Sequence, residues 1–116
     1  MQHRRKGKIL GRTTGPKKAL YRNLATSLVL YEKIKTTEAK AKSMRPIIDR
    51  LVTKGKKNDL AARRYLLKYL TTEGAVKKVL EVLSPKYSTR PGGYTRITKL
   101  GQRRGDAAKV VQIEFV

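Results

Sequence analysis

Between Pro16 and Leu83 the apolar residues of this chain recur at spacings of three and four, whereas after the Pro91-Gly92-Gly93 punctuation they alternate one by one. No other feature limits the possible folds so sharply. A recurrence near 3.6 keeps one stripe of a helix in a core, and a recurrence of two keeps one face of a strand there. Helical patterns first and strand patterns last define an α+β chain: about four helices packed on a small C-terminal antiparallel sheet.

Pro16 opens the first pattern, because its missing N–H would be unpaired in a first helical turn, and Thr14 is placed to cap it. Leu20, Leu24 and Leu28, with Tyr21 and Tyr31, mark an amphipathic helix of about sixteen residues. Ile34-Lys35-Thr36 reads as a short extended link. Thr37 can cap a second helix with Ala39, Met44, Ile48, Leu51 and Val52 on its buried side, and Pro46 inside it predicts a kink or restart near Arg45. Gly55 closes that helix, and Asn58 or Asp59 caps a third containing Leu60, Ala61, Leu66, Leu67 and Leu70. Thr71 or Thr72 opens a fourth, with Val76, Val79, Leu80 and Leu83 inward, which Pro85 should stop. Tyr94–Leu100 and Lys109–Val116 then form a hairpin around a long basic loop, the last strand burying Val111, Ile113 and Phe115.

Residues 1–15 contain Gly7, Gly11 and Gly15 and no sustained apolar period, so they read as an extended basic arm preceding a single domain over 16–116. No acidic residue occurs before Glu32, while eight cations do. Over the whole chain 29 Lys and Arg face 8 Asp and Glu, a net charge of +21. Eight carboxylates cannot neutralise that excess, so the chain calls for a strongly acidic partner.

The same composition removes much chemistry. No cysteine is present, hence no disulfide, thiolate metal site or cysteine nucleophile, and a cytoplasmic setting fits. His3 is the only histidine, the acids are spread singly, and Ser27, Ser43, Ser84 and Ser88 have no other histidine to activate them. No P-loop or dinucleotide-binding glycine pattern occurs, and no apolar run is long enough for a membrane span. The Arg104-Gly105-Asp106 triplet carries almost no specificity. These exclusions predict a protein with no catalytic residue, no metal, no cofactor, no small-molecule substrate and no membrane.

Four cation clusters remain. The first is the arm, with His3, Arg4, Arg5, Lys6, Lys8 and Arg12, continued by Lys17, Lys18, Arg22 and Asn23 on the first helix. Its alternative is a solubilising tail, but a single sign of charge over thirty-one residues favours nucleic acid. The second holds Thr36, Thr37, Lys40, Lys42 and Arg45 around a helix start, where backbone amides also favour phosphate. By itself this is more simply a solvated helix face. The third, Lys54, Lys56 and Lys57 with Arg63 and Arg64, is balanced between solvation and phosphate contact. The fourth, near 86–108, interleaves Lys86, Arg90, Arg96, Lys99, Arg103 and Arg104 with Tyr87, Tyr94, Gly92 and Gly93, as phosphate contact combined with stacking would require. Tyr87 and Tyr94 fit a hairpin core equally well.

The strings MQHRRKGKILGR, ALYRNLATSL, IKTTEAKAKSMRP, NDLAARR, SPKYSTRPGGYTRITK and RRGDAAKVVQIEFV follow one another over essentially the whole chain. In that order they resemble the bacterial large-subunit ribosomal protein seventeen family. The resemblance implies a structural component of the large ribosomal subunit, located in the cytoplasm within the ribosome. Its implied partners are large-subunit ribosomal RNA and neighbouring ribosomal proteins. The family's motifs fall here on His3, Arg4, Leu10, Gly11 and Arg12, on Ala19, Leu20, Arg22, Asn23 and Leu24, and on Ile34, Thr36, Thr37, Lys40, Ala41, Lys42, Arg45 and Pro46. A further motif falls on Tyr87, Arg90, Gly92 to Ile97 and Arg104 to Ala107. It raises the standing of Lys40 and Lys42 as RNA contacts. Gln2, Gly15-Pro16 and Tyr31 depart from the family pattern.

Charge alone would equally suit a DNA-binding nucleoid architectural protein, although no recognition-helix signature or sustained heptad supports one. The working expectation is a core joining the first, second and fourth helices to the last strand. The arm, Lys40, Lys42 and the Arg90 to Arg104 hairpin then face RNA.

Overall fold

A computed structural model describes residues 14–102, 104, 105 and 108–116. The elements run α1 (Thr14–Tyr31), β1 (Lys33–Thr37), α2 (Glu38–Gly55), α3 (Leu60–Tyr69), α4 (Glu73–Lys78), a π-helical turn (Val79–Leu83), α5 (Ser84–Lys86), β2 (Thr95–Gln102) and β3 (Lys109–Phe115). Helices cover one face of a three-stranded antiparallel sheet, as the change of period requires.

α1 begins at Thr14, so that residue lies inside the helix and does not cap it. Its buried line is Tyr21, Ala25, Leu28 and Val29, with Leu20 and Leu24 only half-buried. The stripe is turned by one residue from the leucine ladder. At its end Glu32 takes a left-handed conformation (φ 65°); its N–H donates to the Leu28 carbonyl (2.7 Å) and its own carbonyl accepts from Phe115 N–H (3.0 Å). That residue turns the chain directly into β1.

β1 is the principal departure from the sequence reading. Residues 34–36 are part of an edge strand and not a link. β3 lies at the centre of the order β1-β3-β2, pairing Ile34 with Ile113 on one side and Ile97 with Ile113 on the other. With one large apolar residue in five, β1 has too little pattern to announce itself; the ladder to β3 supplies its hydrogen bonds. As the alternation predicts, Val111, Ile113 and Phe115 are buried. Leu100 is the extra residue of a bulge between Lys99 and Gly101, where Gly101 adopts φ 133°.

α2 runs unbroken through Pro46, so of the predicted kink or restart near Arg45 the restart does not occur. Met44, Ile48, Leu51 and Val52 are all locked in the core on both sides of the proline, and Pro46 itself faces solvent. Water can therefore solvate the carbonyl that the proline leaves unpaired. Ala39 is only half-buried and Ala41 takes its place. Of the two residues proposed to cap α3, Asp59 does so, accepting from Ala62 N–H (2.8 Å). Its inward residues are Ala62 and Leu66, whereas Leu60, Ala61 and Leu67 face outward. Thr72 caps α4 through Ala75 N–H (3.2 Å).

Pro85 does not stop the fourth helix. The chain widens into the π turn over 79–83, and Pro85 enters the first turn of α5, where no N–H is missed. Val76, Val79, Leu80 and Leu83 are inward. The turn packs on the end of α2, close enough that a β-carbon on Gly55 would stand 2.6 Å from Ser84 Oγ.

Candidate nucleic-acid interface

Aromatic residues fasten the stretch between the helices and the hairpin. Tyr87 lies 5.1 Å from Tyr94 and 6.2 Å from Phe115 between ring centroids, and its hydroxyl donates to the carbonyl of Val116. The Tyr94 hydroxyl meets Thr53 Oγ1 at 3.0 Å, its N–H donates to Asp49 Oδ1 (3.4 Å), and Lys56 Nζ stands 4.7 Å above its ring. Tyr94 has 0% exposure. As a candidate RNA contact it is therefore corrected: a ring enclosed by core atoms has no face for a base, and both tyrosines belong to the core. Lys56 is occupied in the same support, donating to the Arg90 carbonyl. Lys54 stands 5.5 Å over Tyr65, and Arg63 and Arg64 lie on the same α3.

His3, Arg4, Arg5, Lys6, Lys8 and Arg12 of the arm, and Arg103 of the hairpin loop, lie outside the described residues. Lys17, Lys18 and Asn23 stand on α1, with Lys18 and Asn23 exposed. Arg22 is turned toward α3, its Nε donating to the Tyr69 carbonyl (2.8 Å), so part of its guanidinium holds two helices together. Thr36 sits on the helix-facing side of β1 opposite Val111, and Thr37 opposite Val110. Arg45 reaches the Thr95 carbonyl from α2 at 3.5 Å while remaining exposed. Arg90, Lys99 and Arg104 are exposed.

Tertiary structure joins two stretches that lie 108 − 42 = 66 or more positions apart in the sequence. The start of α2 and the start of β3 enclose an open depression of about 370 Å³ lined by Thr37, Glu38, Ala39, Lys42, Ala108 and Lys109. Lys42 Nζ lies 2.8 Å from Glu38 Oε1. That hydrogen bond and charge, with smaller contributions from Lys109 and Lys99, hold the Glu38 carboxyl below its ordinary range against the opposing effect of burial. Lys42 and Lys109 thus share one depression with a single acid, and the charge of Lys99 also reaches it. Lys40, two residues from both Glu38 and Lys42 along α2, is half-exposed. Lys109 escaped the sequence reading, since a lysine opening a strand gives no signal; only the antiparallel register brings it to the α2 N-terminus.

Lys33 and Lys35 were missed for a related reason. Both lie on β1 and are exposed, and β1 was not recognisable as a strand. Arg96, a predicted contact on β2, is 65% exposed and bonds Glu114 Oε1 through Nε at 3.1 Å. Among the described residues three ion pairs form, Lys42–Glu38, Lys78–Glu32 and Arg96–Glu114, and each involves at least one side chain 47% exposed or more. Pairs this exposed contribute little stability, so carboxylates remove little of the cationic field.

Among the described residues no group of three His, Asp or Glu side chains could hold a metal, and no helix is long and apolar enough to cross a membrane. Fold and charge define the class: a small α+β protein with a single helix-backed core and a surface dominated by cations. Residues 20–116 match the family model described as Ribosomal protein L17, and the chain belongs to that family. It is 53% identical to a large ribosomal subunit protein bL17 of Desulfitobacterium hafniense over 107 residues, covering 92% of this chain and 96% of that one. The bL17 of Thermomicrobium roseum is 48% identical over 116 residues, 100% of this chain and 99% of that one. That of Rickettsia bellii is 51% identical over 116 residues, 100% and 82%. The family is a structural constituent of the large ribosomal subunit and not an enzyme.

Proposed function

We propose that the protein binds large-subunit ribosomal RNA in the cytoplasm and supports subunit assembly. It does so by neutralising RNA phosphates with the hairpin and the start of α2, alongside neighbouring ribosomal proteins. The observation that carries this reading is the meeting of Lys42 and Lys109 in one open depression around a single acid, Glu38, in a chain of charge +21. Lys40, Arg45, Arg90, Arg96 and Arg104 extend the cationic surface from there. Residues 1–15 serve as an arm carrying His3, Arg4, Arg5, Lys6, Lys8 and Arg12, joined to a single domain over 16–116.

Each phosphate contacted releases condensed counterions, so the logarithm of affinity for ribosomal RNA falls against the logarithm of salt by about 0.7 to 0.9 per contact. Titrating the protein with in vitro transcribed large-subunit RNA at several salt concentrations measures that slope, and a flat response refutes the mechanism. Sedimentation of a cell lysate gives the second check. Recovery with large subunits is expected; nuclease-sensitive recovery with chromosomal DNA would instead indicate a nucleoid protein.

A further inference from the structure

The face of the sheet turned away from the helices is the part of the molecule that neither the sequence pattern nor the core explains. Val111, Ile113 and Phe115 point inward, so strand alternation and register assign the outer face to Lys33 and Lys35 of β1, Gln112 and Glu114 of β3, and Arg96 and Thr98 of β2. Two cross-strand rows result. One is Lys33–Glu114–Arg96, the other Lys35–Gln112–Thr98. The cations occupy both edge strands, roughly 10 Å apart at a strand spacing of about 4.8 Å, and Lys33 and Lys35 are separated by about 6.6 Å along β1.

We infer that this outer face is a docking surface for the sugar–phosphate backbone of double-helical RNA. The inference rests on ribosomal RNA as the partner and assigns it a further surface and a structural form. Three cations against one acid leave 3 − 1 = +2 on the face. Glu114 accepts from Arg96 Nε, so the terminal Nη groups of this exposed guanidinium remain to fork onto a pair of phosphate oxygens. Thr98 and Gln112 between the cations offer a hydroxyl and an amide suited to ribose hydroxyls.

The composition of the face discriminates among partners. Apolar residues lie only at the hairpin end, half-buried Val110 and, in the bulge, Leu100 at 48% exposure, so the two cross-strand rows themselves carry none of the aromatic or aliphatic anchors on which protein interfaces depend. The sheet's aromatic residue, Phe115, and the adjoining Tyr87 and Tyr94 are all buried. Sheets that read unpaired RNA stack bases on exposed aromatics, and this one offers none. Lysines on edge strands also block edge-to-edge association, but that role would give them no part in RNA affinity.

The test uses the full chain. The triple variant Lys33→Gln/Lys35→Gln/Arg96→Gln, checked for folding by circular dichroism, is titrated with large-subunit ribosomal RNA across salt concentrations. Its log–log slope should be shallower than wild type by about two to three, at about 0.7 to 0.9 for each cation removed. An unrelated RNA duplex should compete with wild-type binding better than single-stranded poly(U). Thr98→Glu, which adds one anion to the face, should weaken binding more than Ala61→Glu, which adds the same charge to the exposed side of α3. An unchanged slope in the triple variant, equal effects of the two glutamates, or stronger competition by poly(U) overturns the inference. Lys40→Gln/Lys42→Gln separates it from the wider reading: if that variant flattens the slope while the triple variant does not, RNA binding stands and the outer face is excluded.

Discussion

Alanine normally stabilises a helix relative to glycine, and at Gly55 the structure reverses the sign. A β-carbon built there stands 2.6 Å from Ser84 Oγ, 2.8 Å from Val79 Cγ1 and 3.7 Å from Leu66 Cδ1. The last is ordinary contact; the first two are closer than carbon and oxygen tolerate. Ser84 is buried and its hydroxyl donates to the Val52 carbonyl (3.4 Å), so turning it away breaks a buried bond, and Val79 is β-branched and stiff in its helical turn. Overpacking of this kind costs about 1–3 kcal/mol. The helix preference of alanine returns roughly 0.5–1 kcal/mol. Gly55→Ala should thus destabilise by about 1–2 kcal/mol net. In a chain of this length each kcal/mol lowers the melting temperature by on the order of 4–8 °C. Urea unfolding followed by circular dichroism measures the difference. Adding Ser84→Ala should recover part of it, because the nearer obstacle is gone. A Gly55→Ala protein as stable as wild type or more so would refute the close packing of α2 on the π turn.

Thr26 is a buried hub whose Oγ1 accepts from Thr71 N–H (3.0 Å) and lies 2.8 Å from the Arg22 carbonyl; Thr26→Val preserves shape but orphans that N–H, a loss of about 1–3 kcal/mol by urea unfolding. Tyr94→Phe removes only the hydroxyl facing Thr53, which is exposed and can bond water, so the loss should stay near the lower end of about 0.5–1.5 kcal/mol, with RNA affinity unchanged because the ring is enclosed. Base stacking by Tyr94 would instead leave affinity sensitive to Tyr94→Leu in a protein that remains folded. Lys42 lowers the Glu38 carboxyl, so its stabilising contribution is present above the ordinary glutamate range and disappears as pH falls through the lower folded value. Acid unfolding of wild type and Glu38→Gln should therefore differ above that window and converge below it.

Much of the fold was legible because its signals are local. Asp59 and Thr72 lie at fixed offsets from the amides they cap, and the odd positions of 111–115 announce a half-buried strand. The readings that failed were those in which a distant partner outweighs a local tendency. Pro46 is tolerated because core contacts hold α2 on both sides of it, Pro85 is accommodated by a π turn, and β1 exists as a strand because β3 is there to pair with it. The candidate site divides in the same way. A sequence shows which stretches are rich in cations, and it marked Lys40, Lys42, Arg96 and Lys99. It does not show that Lys42 and Lys109 share a depression with one acid, that Arg22 and Lys56 are partly committed to backbone carbonyls, or that Tyr94 is closed off.

By itself, then, the sequence determined the class of fold, the sign and size of the charge, the absence of cysteine and the presence of a single histidine, and the family. All of these follow from residue type and spacing along the chain. Only the tertiary structure decided which cations share a surface and which tyrosines are lost to the core. Those depend on strand register and helix packing, which bring together residues such as Lys33 and Arg96 that are sixty-three positions apart yet opposite the same glutamate.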